Sequence, residues 1–187
     1  MNQIWQMWSG GINIPTVENI ITECETYPVQ NANVGFDGET KNDDLRRSEI
    51  RWIDRTKPSS HFITSTIWAY AEEANRNAFG FDISLIRDIQ FTTYKAEDVG
   101  KYDWHFDTFW ANPRTTDRKI SVIIQLSDSD EYEGGDFELD PQFEQPQGLR
   151  QKGTVLVFPS FLLHRVTPVT KGIRKSLVSW VEGPKFR

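Results

Sequence analysis

The sequence predicts a mainly β fold with N-terminal helices, arranged as a jelly roll. Three observations predict it. Apolar stripes at helical spacing occur only in the first part of the chain. From residue 83 onward the period changes to two, and roughly eight short strands follow with turn signals every 8 to 12 residues. No internal repeat, low-complexity tract or linker divides the 187 residues, a length typical of one domain. Residues 1–82 are therefore expected to form a helical part, and 83–187 the β core, of a single domain. Hydrophobic residues at 37%, with seven Trp and twelve Phe, supply the apolar area an ordered core needs.

In chain order, Ile4, Trp8, Ile12 and Ile14 alternate with polar residues around Gly10-Gly11, which suits an edge strand and a turn. Thr16 reads as a helix N-cap ahead of the stripe Val17, Ile20, Ile21 and Cys24, and Pro28 stops that helix. Residues 29–46 are polar and turn-rich, predicting a mobile surface loop. A short strand is expected between Arg47 and Asp54. Ser59 or Ser60 then caps a second helix carrying Phe62, Ile63, Ile67, Trp68, Ala71 and Ala74. Beyond Gly80, strands are expected through Ile83–Tyr94, Tyr102–Phe109, Lys119–Leu126, Phe137–Leu139 and Gly153–Phe158. A turn at Thr170-Lys171-Gly172 precedes a last strand from Arg174 to Val181.

A net charge of −6 gives no global attraction to nucleic acid or to an acidic membrane, and neither is expected as a partner. The single cysteine, Cys24, cannot form an intrachain disulfide. With no signal-like start and no apolar run of membrane-spanning length, it points to a cytoplasmic protein.

The chemistry concentrates in two stretches, Tyr102-Asp103-Trp104-His105-Phe106-Asp107 and Phe158 through His164 to Arg174. On a strand, His105 and Asp107 share a face, and sheet pairing can bring His164 beside them. Two imidazoles and a carboxylate around one point, with other positions open, is the donor set of non-haem Fe(II) oxygenases. The same residues could equally make a strand-end hydrogen-bonded pair. Arg174, ten positions after His164, tips the balance, with Ser176 two residues on along the same face. An oxoacid that chelates iron at one end needs a fixed cation at its other carboxylate. A planar guanidinium pairs with that carboxylate through two hydrogen bonds, and Ser176 can add a neutral donor.

Several blocks, in order, resemble the prolyl 4-hydroxylase-like branch of the Fe(II)/2-oxoglutarate oxygenases. They are Gln90–Tyr94, Tyr102–Asp107, Arg118-Lys119-Ile120-Ser121, Tyr132–Phe137, Phe158-Pro159-Ser160, His164–Val169 and Gly172–Ser176. The resemblance covers about residues 83–184. It implies a double-stranded β-helix with His105, Asp107 and His164 as iron ligands and Arg174 on the far carboxylate of 2-oxoglutarate. It also implies that Tyr94 contacts that cosubstrate. Where related hydroxylases place a second aromatic on the central strand, this chain has Gln125.

The resemblance implies Fe(II), 2-oxoglutarate and dioxygen as cofactors and cosubstrates, with ascorbate as a reductant. The implied reaction hydroxylates a C–H bond of a prolyl residue in a peptide or protein, with succinate and CO2 as coproducts. The same chemistry on a free amino acid or other small molecule is the alternative, and a zinc-dependent hydrolase or isomerase on the same barrel is another. The loops Asn31–Asp44 and Trp110–Asp117 are candidates for a lid, and Arg51, Trp52 and Trp110 for substrate contacts. His61, at a helix start, is expected to be structural or solvent-facing.

Overall fold

The computed structural model describes residues 4–34 and 42–187. Strand β1 (Gln6–Trp8) opens the chain, followed by helix α1 (Ile14–Glu25). Asn13, not Thr16, caps this helix: its side-chain oxygen accepts the Thr16 N–H at 2.9 Å. Pro15 falls in the first turn, where its missing N–H costs nothing. Val17, Ile20 and Cys24 form the buried stripe.

Three short strands follow, β2 (Gln30–Asn31), β3 (Arg46–Arg47) and β4 (Glu49–Trp52). The expected loop over residues 29–46 therefore contains strand at both ends, and its Gly35, Asp37 and Gly38 lie outside the described residues. A single 3-10 turn, Pro58–Ser60, leads into helix α2 (His61–Ala74). Ser60 stands at the N-cap position of α2, as expected, but its Oγ makes no capping bond and donates to the Asp54 and Lys57 carbonyls instead, fastening the turn. Ile63, Ile67, Ala71 and Ala74 are buried, whereas Phe62 stays exposed. His61 is exposed, as expected.

The remaining strands are β5 (Leu85–Lys95), β6 (Lys101–His105), β7 (Thr116–Gln125), β8 (Tyr132–Gly134), β9 (Phe137–Leu139), β10 (Val155–Pro159), β11 (His164–Val166) and β12 (Val169–Pro184). They form two antiparallel sheets. The larger runs β1-β10-β7-β12-β5-β4-β2, with β8 also on β12; the smaller runs β3-β6-β11-β9. Strands β1 to β4 thus belong to the sheets, so residues 1–82 are not helical alone.

Two boundaries differ from expectation for physical reasons. Strand β6 ends at His105, because beyond it the Asp107 and Thr108 N–H groups turn to the Ser160 carbonyl, at 2.9 and 3.2 Å. The expected turn at Thr170–Gly172 is instead part of β12, which pairs there with β8. Gly172 marks close strand approach: its φ is 70°, and a Cβ there would lie 2.0 Å from the Glu131 carbonyl oxygen.

Alternation sorts the side chains into a core and a site. On β7, Ile120, Val122 and Ile124 join Ile89, Phe91, Leu177 and Val181 in the core beneath α1 and α2. The opposite face carries Ser121, Ile123 and Gln125 toward the smaller sheet, and there Tyr132 and Phe158 of the larger sheet pack with Phe137 and Leu139 of the smaller one. Polar residues on that inner face cost free energy unless they find partners. They mark where the barrel is used. No helix among the described residues is long and apolar enough to cross a membrane.

Candidate active site

Between the sheets lies a cavity of about 410 Å3, lined by His105, Asp107, His164, Tyr94, Arg174 and Ser176 among others. All six residues singled out in the sequence share it. His105 ends β6 and pairs across the sheet with His164, the first residue of β11. Asp107 reaches them from the loop anchored on Ser160. One ligand atom from each of His105, Asp107 and His164 lies within 4.8 Å of the other two. His105 Nε2 is 3.7 Å from Asp107 Oδ1, and His164 Nε2 is 3.5 Å from Asp107 Oδ2.

The surroundings orient these donors. His105 Nδ1 lies 2.7 Å from the Asp103 carbonyl and His164 Nδ1 lies 2.8 Å from the Leu162 carbonyl. Each Nδ1–H donates there, so each Nε2 presents its lone pair to the cavity, as metal-ligating histidines do. Ser121 Oγ donates to Asp107 Oδ2 at 2.6 Å and lies 2.9 Å from Ser160 Oγ. The Tyr102 ring stacks on His105, with centroids 3.4 Å apart. An open set of two imidazoles and one carboxylate, each with an outer partner, fits a divalent iron centre.

Burial pushes the His105 imidazole down to about 3, with His164 adding to the shift and Asp107 opposing it. Burial alone would raise the Asp107 carboxyl. The facing imidazoles of His164 and His105, the Arg118 guanidinium and the Ser121 hydroxyl outweigh it and hold the carboxyl below its usual range. At neutral pH His105 is therefore a neutral imidazole and Asp107 a carboxylate, the forms that metal binding requires of them.

His105 has a stability consequence in the metal-free protein. Its folded value lies below the ordinary 6.5, so this group changes nothing above about pH 6.5. As pH falls from there toward 3, the unfolded chain takes up a proton that the folded chain refuses. Stability is lost across that window at up to roughly 1.4 kcal/mol per pH unit. Urea unfolding of the metal-free protein and of His105→Asn, compared between pH 7 and 4, should show the steeper loss in the unsubstituted chain. Parallel profiles would refute the assignment.

Arg174 on β12 faces Tyr94 on β5 in register, with its guanidinium carbon 5.6 Å from the Tyr94 ring centre. It is 2% exposed and, among the described residues, has no carboxylate partner. Gln125 is also buried, but it lies behind Arg174, where its Nε2 donates to the Tyr132 hydroxyl and the Ser127 carbonyl, each at 3.0 Å. Tyr132 thus supplies an aromatic ring from β8 on that side of the barrel; a Cβ at Gly135 would meet both Arg174 Cδ, at 3.2 Å, and the Tyr132 ring, at 3.4 Å.

The family model for the 2OG-Fe(II) oxygenase superfamily matches residues 89–182. The chain belongs to this superfamily. The match begins in β5 and ends in β12, so it takes in the three clustered donors and Arg174. Among curated relatives of this oxygenase, a PKHD-type hydroxylase of Synechococcus is 39% identical over 93 residues, covering 50% of this chain and 41% of the relative. Another from Idiomarina loihiensis is 36% identical over 121 residues, covering 62% and 55%. The chain thus spans about half, or less, of these relatives' length. Among solved structures, a Pseudomonas putida prolyl-4-hydroxylase aligns with a TM-score of 0.71 at 19% identity, covering 97% of this chain and 94% of that one. A Trichoplax adhaerens prolyl hydroxylase aligns with a TM-score of 0.74 at 15% identity, covering 95% and 83%. At such identities the likeness shows the fold, which is the double-stranded β-helix of 2OG oxygenases.

Of the expected substrate contacts, only Trp52 lines the oxygenase's cavity. Arg51 turns away and donates to the Tyr27 carbonyl. Trp110 is 63% exposed and rests against Phe186. Sequence reasoning missed Arg46, Trp180 and the role of Ser121, all of which reach the cavity or its donors. For Ser121 the signal was available, as an alternate polar position in a β-branched strand.

Proposed function

We propose that this chain is an Fe(II)- and 2-oxoglutarate-dependent dioxygenase that hydroxylates a prolyl residue of a peptide or protein. The observation that carries the reading is Arg174, a buried cation that has no counter-charge among the described residues and shares a cavity with the three clustered donors. Burying an unpaired charge is costly unless a ligand completes it, and a dicarboxylate held at both ends does so.

In this reading His105, Asp107 and His164 hold Fe(II), and Arg174 takes the far carboxylate of 2-oxoglutarate with Tyr94 and Ser176 beside it. When bound, Fe(II) with dioxygen supplies the oxidation that turns 2-oxoglutarate into succinate and CO2 while a substrate C–H becomes C–OH. The chain's own work is positioning and exclusion. The two Nδ1–H donors keep the imidazoles in one orientation, and Ser121 holds the carboxylate of Asp107. Ile123, Phe137, Val166 and Val178 line the cavity with apolar surface that excludes water.

The prolyl substrate rests on likeness: the Trichoplax structure is of a prolyl hydroxylase in complex with a peptide fragment of hypoxia inducible factor. In our reading residues 1–82 complete the same domain, since β1, β2 and β4 extend the larger sheet. The buried Cys24 thiol and ferrous iron both suit a reducing, cytoplasmic setting.

Anaerobic addition of Fe(II) and 2-oxoglutarate should give a weak visible charge-transfer band. Admission of air with a prolyl peptide should release succinate. A folded protein that does neither would overturn the proposal.

A further inference from the structure

Among the described residues, two buried arginines without a carboxylate partner open into the cavity, and 2-oxoglutarate accounts for one. The other is Arg46, on β3, which is 6% exposed. Its Nε donates to Ser48 Oγ at 3.0 Å, and its guanidinium carbon sits 4.5 Å over the Tyr102 ring. Among the described residues no carboxylate pairs with it. The His105 ring occupies one face of Tyr102 at 3.4 Å, so Arg46 must cover the other. The order is Arg46, Tyr102, His105, which sets a fixed positive charge one ring beyond a clustered imidazole.

Charge counting leaves Arg46 over. With the proposed ligands, a dication, Asp107, a dianionic cosubstrate and Arg174 together sum to zero. Arg118, stacked 3.9 Å from Trp180, has Asp88 at 3.5 Å. Arg114 has Glu182 at 3.5 Å. A buried guanidinium costs several kcal/mol unless an anion completes it, and it binds carboxylate through a planar fork. A second unmet donor belongs to the same cavity: Trp180 Nε1 is buried with no acceptor among the described residues.

We propose that Arg46 is a specificity-determining residue that binds a carboxylate of the substrate, so that this oxygenase prefers an acidic prolyl peptide. The inference rests on the function proposed above and adds the charge of the substrate. One guanidinium in a cavity of about 410 Å3 matches one carboxylate. A polyphosphate chain would need a basic surface, which a net charge of −6 does not provide. The carboxylate can come from an acidic side chain beside the proline or from a chain terminus, and the same chemistry serves both.

The test uses the full chain loaded anaerobically with Fe(II) and 2-oxoglutarate, so that binding is read by calorimetry without turnover. The probes are blocked tetrapeptides with Asp or Asn before proline, the same pair after proline, and acetyl-glycyl-proline as free acid or amide. A charge-assisted pair on a buried guanidinium should favour one acidic member by about tenfold or more. The pair that shows it identifies the source of the carboxylate. Arg46→Gln should bring that preference below threefold, and Arg46→Lys, which keeps the charge and guards against misfolding, should retain part of it. A preference below tenfold in every pair, or no binding of any acidic member, overturns the inference. So does a preference that persists in folded Arg46→Gln. The charge-transfer band separates the two readings: if it forms and the acidic preference is absent, only the Arg46 assignment fails.

Discussion

Asp107→Ala should reduce iron-dependent succinate formation to the level of the iron-free protein. Asp107 is the only carboxylate among the three clustered donors, and without it two imidazoles face the dication alone. Loss of a residue that merely supports a metal ligand costs about 10- to 100-fold in metal affinity, so loss of the ligand itself should exceed roughly 100-fold. The substitution also leaves Ser121 Oγ without its 2.6 Å acceptor and removes one of the negative charges near Arg118, which keeps Asp88 at 3.5 Å. Circular dichroism must therefore accompany the assay. Iron titration followed by the 2-oxoglutarate band separates the outcomes: a folded variant that still forms the band at ordinary iron concentrations would remove Asp107 from the centre.

The second large effect is expected at Arg174. A bidentate guanidinium makes two charge-assisted hydrogen bonds to a carboxylate, each contributing about 1.5 to 3 kcal/mol. Arg174→Met should accordingly raise the 2-oxoglutarate concentration for half-maximal succinate release by about 100- to 10,000-fold. The iron affinity should change far less. Stability should move the other way from activity. In the absence of 2-oxoglutarate the Arg174 guanidinium is buried with no counter-charge among the described residues, and replacing it by an apolar side chain of similar length should leave the fold as stable or more so. An unchanged 2-oxoglutarate requirement would show that the cosubstrate's far carboxylate lies elsewhere.

Much of the site was legible because its residues carry distinctive chemistry at short spacing. His105 and Asp107 stand two apart, Arg174 and Ser176 two apart, and a period of two puts each pair on one side of the chain. The outcome agrees for Arg174 and Ser176, which both line the cavity from β12. For Asp107 the outcome agrees for a different reason. The strand stops at His105, and a pair of hydrogen bonds to the Ser160 carbonyl, not the pleat, carries Asp107 back. The start of α1 was misplaced by three residues, because Asn13 outcompeted Thr16 as its cap, whereas Ser60 stands at the N-cap position of α2 as expected but makes no side-chain capping bond. Local capping signals compete within a few residues, and the choice depends on where the chain must enter the core.

From sequence alone came the mainly β class, the net charge of −6, the candidate donors His105, Asp107 and His164, and the cation Arg174. All of these follow from residue type and local spacing, which the chain states directly. Only the tertiary structure decided that His164 meets His105 across β11 and β6, that Gln125 lies behind Arg174, and that Arg51 and Trp110 turn away from the cavity. It alone decided that Arg46, from an unremarked polar stretch, caps the Tyr102 ring behind a clustered histidine. The physical reason is that pairing between strands far apart in sequence sets which side chains share a cavity. No local period encodes that partnership.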